Sequence, residues 1–321
     1  MLFRLRIIPI LLVGLGVALM VGAGVAPRFL LGDGRLPLDL EETTWTMEDP
    51  QGRYGEETVP VTRQLHLELQ GPADEESVGV RVGDTLRAGD EESDFENLVT
   101  AETWSYTMNR LSGEPEGPMS LRSIMGLPST EVEGAGHWLK FPADVGQHSY
   151  DVFDPALRDV APAEYVGEEE IAGRTVYVFE QTVAPTNLAE AYADLRNTKV
   201  IAEEGEDPVR AFLHHSASRR ISVDQISGFV VGMDEKVDNY YADAEGQRLE
   251  DGVSYDARMA PERVDAMAGQ LNAVFSQEQS RAVTIGVIVL GAILAVGGLV
   301  WLILAFRSAR RAEREDGEVA E

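Results

Sequence analysis

Five histidines, His66, His137, His148, His214 and His215, are the side chains best suited to metal or proton chemistry, and the chain has no cysteine. None of them stands in an HExxH arrangement. Neither GxSxG, SxxK nor a phosphate-cradling glycine loop occurs. His214 and His215 are adjacent. At the helix end expected there, their side chains diverge, which fits a surface or turn pair better than two ligands of one metal. Asp and Glu number 55, too many for one pair to stand out as acid and base. The acidic runs Asp90 to Asp94 and Glu203 to Asp207 lack EF-hand spacing and read as solvated loops. No catalytic residue, metal ligand or cofactor is therefore assigned. An envelope hydrolase would need a nucleophile and base brought together from distant positions.

The densest aromatic grouping is Trp104, Tyr106, Trp138, Phe141, Tyr150 and Phe153. Core packing explains such residues in general. On a strongly curved sheet the same rings could line an apolar hollow fit for an acyl chain, since ligand pockets are mostly apolar with few polar groups. These six are the candidate lipid contacts.

Two uncharged apolar stretches bound everything else. Ile7 to Ala26 is 20 residues long and Ala282 to Phe306 is 25, each reaching the roughly 20 residues a helix needs to cross about 30 Å of hydrocarbon. The expected layout is a cytoplasmic start (1–6), a transmembrane helix (7–26), an extracytoplasmic domain (27–281), a second transmembrane helix (282–306) and a cytoplasmic tail (307–321). Arg4 and Arg6 precede the first stretch, and Arg307, Arg310, Arg311 and Arg314 follow the second. That bias places both termini inside an inner (cell) membrane; Arg28 and Arg281 stand singly at the outer ends. A cleaved signal peptide is the competing reading of the first stretch, with small residues before Ala23 and Ala26. Pro27 hinders a cut after Ala26, and the apolar run exceeds an ordinary signal core of about 7–15 residues.

The formal net charge is −28, and the acidic excess lies between the two stretches. Only five of the 55 Asp and Glu fall in the tail, against two N-terminal and four C-terminal members of the 27 Lys and Arg. Such a field repels nucleic acid and anionic headgroups and favours cations or basic partners. Without cysteine there are no disulfides, thiolate metal sites or cysteine acylation. A middle segment of this length buries an adequate core without them.

That segment reads as α+β, rich in antiparallel sheet. Val61 to Leu69, Val78 to Val82 and Val176 to Phe179 alternate apolar and polar residues, the period of a half-buried strand. Tyr106 to Gly113 can be laid over Ile221 to Gly228; both read as a strand running into an Asx-started turn that closes on glycine. Equivalent hairpins near 105–113 and 220–228 would mean a duplicated sheet unit, while chance similarity of a common turn is the alternative. Helices are expected from Asn187 to Arg196, from Pro208 through Phe212 and Leu213, and from Pro261 onward. The last has no obvious terminator before Ala282 and would run into the second span as a stalk over 261–281. Gly14, Ala18, Gly22 and Ala26 recur every four residues, with Gly291 and Ala295 as a shorter counterpart, and are expected to pack helix on helix.

His137 to Pro142, Tyr150 to Asp154, Gly173 to Phe179 and Val223 to Gly228, between two terminal spans, resemble an actinobacterial envelope family known as porin PorA or as a domain of unknown function. The resemblance implies a non-enzymatic envelope protein. Through mycobacterial relatives associated with trehalose monomycolate trafficking, it also implies a membrane lipid or glycolipid and a lipid-exporter protein as partners. Outer-membrane channels are closed barrels of strands with an apolar outer band, whereas the membrane contact here is two apolar helices. The leading expectation is thus a protein that binds or traffics a lipid or glycolipid, or scaffolds an export complex. The alternative is an oligomeric, cation-preferring channel.

Overall fold

The computed structural model describes residues 2–25, 34–93, 95–123, 128–202, 207–275 and 277–318. The chain divides into two compact units, one built from both ends (1–33 and 275–321) and one spanning Gly34–Val274. The second unit is mostly sheet. Its strands are β1 (Thr44–Asp49), β2 (Arg53–Tyr54), β3 (Glu57–Thr58), β4 (Val61–Ala73), β5 (Ser77–Ala88), β6 (Leu98–Asn109), β7 (Met119–Arg122) and β8 (Thr130–Val132), then β9 (Tyr150–Asp154), β10 (Asp159–Ile171), β11 (Arg174–Asn187), β12 (Thr198–Ile201), β13 (Val209–Asp224), β14 (Val230–Ala242) and β15 (Arg248–Met259).

The main path runs β8-β7-β6-β5-β4-β1-β15-β14-β13-β11-β10-β9, with β12 added to β13 and the β2–β3 hairpin to β15. This is two six-stranded antiparallel meanders in the same sequential order, joined where β1 pairs with β15 at Met47 and Met259. Alternation sets the inward face. Val61, Arg63, Leu65 and Leu67 are buried on β4, and Val78, Val80, Val82, Asp84, Leu86 and Ala88 on β5. The sheet is strongly curved, because Trp104 on β6 lies 5.3 Å from Phe153 on β9, at the opposite end of the strand order. Inward side chains of both meanders therefore share one core.

The two Asx-glycine segments fold alike. Asn109 Oδ1 accepts from the backbone N–H of Leu111 and Ser112 at 3.0 Å, and Gly113 N–H returns to the Asn109 carbonyl. Asp224 Oδ2 accepts from Ser227 N–H at 2.7 Å and its hydroxyl at 2.6 Å, and Gly228 N–H returns to the Asp224 carbonyl. Both glycines have left-handed φ, +80° and +72°, which glycine adopts without strain. A strap, residues 136–145, lies across both turns. It receives N–H bonds from Phe153 and Val230, and it donates from Phe141 to Gly228, from Ala143 to Leu111 and from Val145 to Gln225.

Several expected helices are corrected. Of the helix from Asn187 to Arg196, one turn forms, α2 (Leu188–Ala191), capped by the Asn187 side chain, followed by a 3-10 turn at Leu195–Asn197. The segment holding Phe212 and Leu213 is strand, because 209–224 pairs with both β11 and β14. The stalk is interrupted. α3 (Pro261–Gly269) passes into a 3-10 turn, Gln270–Ala273, and Val274 is extended, so the helix stops before the second span. Tertiary burial explains the stop: Met267, Ala268, Leu271 and Val274 belong to the sheet unit's core.

The other unit holds α1 (Leu2–Val25) and α4 (Gln277–Glu318). α4 carries a run, Arg281–Arg307, long and apolar enough to cross a membrane. The apolar part of α1, Ile7–Ala23, is shorter. Ala26, the last residue of the expected first span, lies outside the described residues.

Candidate functional site: a close-packed helix pair and a charged sheet interior

α1 and α4 pack through glycine. A Cβ placed on Gly291 would lie 2.7 Å from the Gly16 carbonyl oxygen, and one on Gly298 would lie 2.8 Å from that of Pro9. Backbone therefore meets backbone, the close approach that small residues permit in lipid. Since Gly16 opposes Gly291 while Pro9 opposes Gly298, the helices are antiparallel. The buried positions Pro9, Gly16 and Ala23 on α1 recur every seven residues, as do Gly291 and Gly298 on α4, the spacing of a knobs-into-holes seam.

Gly291 and Ala295 lie in this seam. Gly14 and Gly22 do not, and each has open space where a Cβ would be. Gly16 is two positions from both Gly14 and Ala18, and two residues turn a helix by roughly 200°. The expected stripe therefore faces away from α4, and the seam runs along the other side.

Inside the sheet unit lies a chain of buried charges. Arg63 (β4) donates to Asp84 (β5) at 3.2 and 2.8 Å and also to Glu235 (β14). Arg219 (β13) donates to Glu235, to Asp154 (β9) and to Gln181 (β11) at 2.8 Å. The Tyr255 hydroxyl donates to Glu235 at 2.7 Å, and His215 bridges Asp154 and Asn239. Burial alone would raise the Glu235 carboxyl, but Arg63 and Arg219 overcome it and hold the group down to about 2. Burial likewise opposes ionisation of Asp154, and Arg219 with His215 holds it well below the usual carboxylate range. These charges are locked in pairs across five strands and have no free capacity for acid–base work.

The aromatic candidates are core. Trp104, Trp138, Phe141 and Phe153 are buried, and Tyr106 and Tyr150 are partly buried against them. Trp104 meets Trp138 edge-on at 5.9 Å, and Phe141 stacks on Phe179 at 5.1 Å. The cavity bordered by Trp138 and Phe153 measures about 10 Å³, room for about one water. The hollow expected for an acyl chain is filled by the rings themselves. A larger surface cleft of about 290 Å³, lined by Ile171, Arg220, Asp234 and Val264 among others, touches none of these aromatics.

His214 and His215 sit on β13 rather than at a helix end. His215 points inward to the charge chain, while His214 stacks on Tyr240 at 5.3 Å. Among the described residues no group of three or more His, Asp or Glu could hold a metal. The buried charge chain itself went unpredicted, though a signal for it exists. Arg63 falls in phase with Val61 and Leu65, Asp84 with Val82 and Leu86, Arg219 with Ala217 and Ile221, and Glu235 with Met233 and Val237.

A sequence-family model described as Porin PorA matches residues 8–300, from within α1, across the whole sheet unit and into α4. This chain belongs to the Porin PorA family. One relative, Porin PorA of Corynebacterium resistens, is 29% identical over 226 residues, covering 57% of this chain and 54% of its own. Another, Porin PorA of Corynebacterium amycolatum, is 25% identical over 291 residues, covering 78% of this chain and 75% of its own. The chain thus spans about half the length of the first and three quarters of the second. The leading expectation of a lipid carrier or export scaffold is corrected here: the PorA family and both relatives point to the channel alternative.

Proposed function

We propose that this PorA-family chain is a non-enzymatic subunit of an oligomeric, cation-preferring membrane channel. The observation that carries the reading is the family match, which runs through the antiparallel helix pair as well as the sheet unit. In this reading α1 and α4 both span the cell membrane, both termini are cytoplasmic, and Gly34–Val274 lies on the far side. The arginines outside the two apolar stretches support that orientation.

The physical division of labour follows. The sheet interior is close-packed, so ions do not pass through it. A path must instead form between helices of several copies, since two helices enclose no pore. The spans hold no ionisable residue, so selectivity comes from outside the bilayer. A net charge of −28 raises the local concentration of cations and depletes anions. Planar-bilayer recording of the purified full chain tests this. Unitary steps with a reversal potential displaced toward the cation are expected under a salt gradient, and a silent bilayer or anion preference would overturn the proposal.

A further inference from the structure

Lys140 is 1% exposed, yet among the described residues its Nζ makes no salt bridge. It donates to the Leu111 carbonyl at 3.1 Å and to the Phe141 carbonyl at 2.7 Å. An ammonium carries three N–H groups and a neutral amine two. Two carbonyls are a complete set of acceptors for the neutral amine and an incomplete one for the cation, where water cannot supply the third. Burial pushes the Lys140 amine down to about 7, with Asp224 opposing.

Its place in the fold gives this chemistry leverage. Lys140 sits in the strap, and its side-chain nitrogen reaches the first turn at Leu111, while the next residue, Phe141, donates its N–H to Gly228 of the second. The charged groups around it are otherwise engaged. Asp224, the last residue of β13, is held by Arg174 of β11 at 2.7 Å and by Ser227. The strap's other titratable groups are Asp144, whose N–H donates to the Ile226 carbonyl, and His137, on which Glu114 after β6 and Asp151 on β9 act and whose imidazole is pushed down by burial.

We propose that Lys140 is a pH-responsive latch: as the neutral amine it pins the strap to the first turn, and on taking up a proton it lets the strap go. The sign is set by linkage. A lysine freed to solvent keeps its proton to about 10.5, whereas the latched amine loses it near 7. Opening therefore takes up a proton between those limits. The opening constant rises about tenfold for each unit of falling pH and levels off below about 7. His137, held below its ordinary value, adds to opening only at lower pH.

Hydrogen exchange on the full chain in detergent micelles, corrected for the intrinsic pH dependence of exchange, tests the latch. Protection of the Phe141, Ala143 and Val145 amides should rise about 50-fold between pH 7 and 9. The β2–β3 hairpin, which opens without the strap, should show no such slope, and Lys140→Met should abolish it in the strap. A flat wild-type profile, or a slope that survives in Lys140→Met, overturns the latch. Should that variant fail to fold, ¹³C-labelled lysine in the wild type decides. The buried lysine's ε-carbon resonance should titrate near neutrality, and a midpoint near 10 overturns the proposal.

Discussion

Arg63, Asp84, Asp154, Arg219 and Glu235 occupy strand positions that apolar side chains would ordinarily fill, and each is held by its neighbours rather than by water. Removing one member leaves the others buried without a partner, which costs more than the pair itself contributes. Glu235→Gln should destabilise the sheet unit by about 3–5 kcal/mol, and Tyr255→Phe, which deletes one hydrogen bond, by about 1–2 kcal/mol. Both are read from denaturant midpoints. The depressed carboxyls also set an acid limit. A carboxyl held low stabilises the fold above its unfolded value near 4.5 and loses that contribution as pH falls toward about 2. For Glu235 this is on the order of 3 kcal/mol. The Glu235 contribution should therefore hold steady from pH 7 to 5 and fall below pH 4.5, and Glu235→Gln should flatten that part of the acid decline. Residue types alone hid this chain of charges, because Arg and Glu are read as solvent-facing until their phase with the flanking valines and leucines is counted.

Among elements, the two Asx-glycine turns and the strap across them depend on glycine for room as well as for φ. A Cβ on Gly113 would overlap the Lys140 carbonyl oxygen and one on Gly228 the Phe141 carbonyl oxygen, whereas Gly246, also at positive φ, has open space. Gly246→Ala should cost only the backbone penalty, roughly 1 kcal/mol. Gly113→Ala and Gly228→Ala should each cost at least about 2–3 kcal/mol, again by denaturation. The helix seam makes a parallel prediction. Gly16→Leu should separate α1 from α4, and Gly14→Leu, on the open face, should not. Because the chain has no cysteine, spin labels on cysteines introduced at the exposed positions Leu15 and Val296 can report that distance.

Strands β4, β5 and β11 were readable because their apolar residues alternate over several steps. Of β13 only the end, Ile221 to Asp224, was readable; the part before it was not, since two of its inward positions are His215 and Arg219 and Asp207-Pro208 imitates a helix start. The stalk over 261–281 read as continuous because its periodicity persists to Val274. Only the core it packs against ends the helix there. The stripe was seen in sequence, but which face of α1 meets α4 depends on a partner helix more than 250 residues away.

For the whole molecule, the channel proposed above makes selectivity a matter of the long-range field of an acidic chain with two uncharged apolar stretches rather than of lining residues. Such a field is screened over about 10 Å at 0.1 M salt and about 3 Å at 1 M. Cation preference in bilayer recordings should therefore weaken markedly over that range while unitary steps persist. A preference insensitive to salt would place the selecting groups inside the pore. The joining of the two meanders bears on how such a molecule is put together. With the first and last strands of the sheet unit hydrogen-bonded side by side, the polypeptide enters and leaves that unit through a single doorway. A module with one doorway can be lengthened, exchanged or lifted out between two chain ends without asking either of them to reach farther.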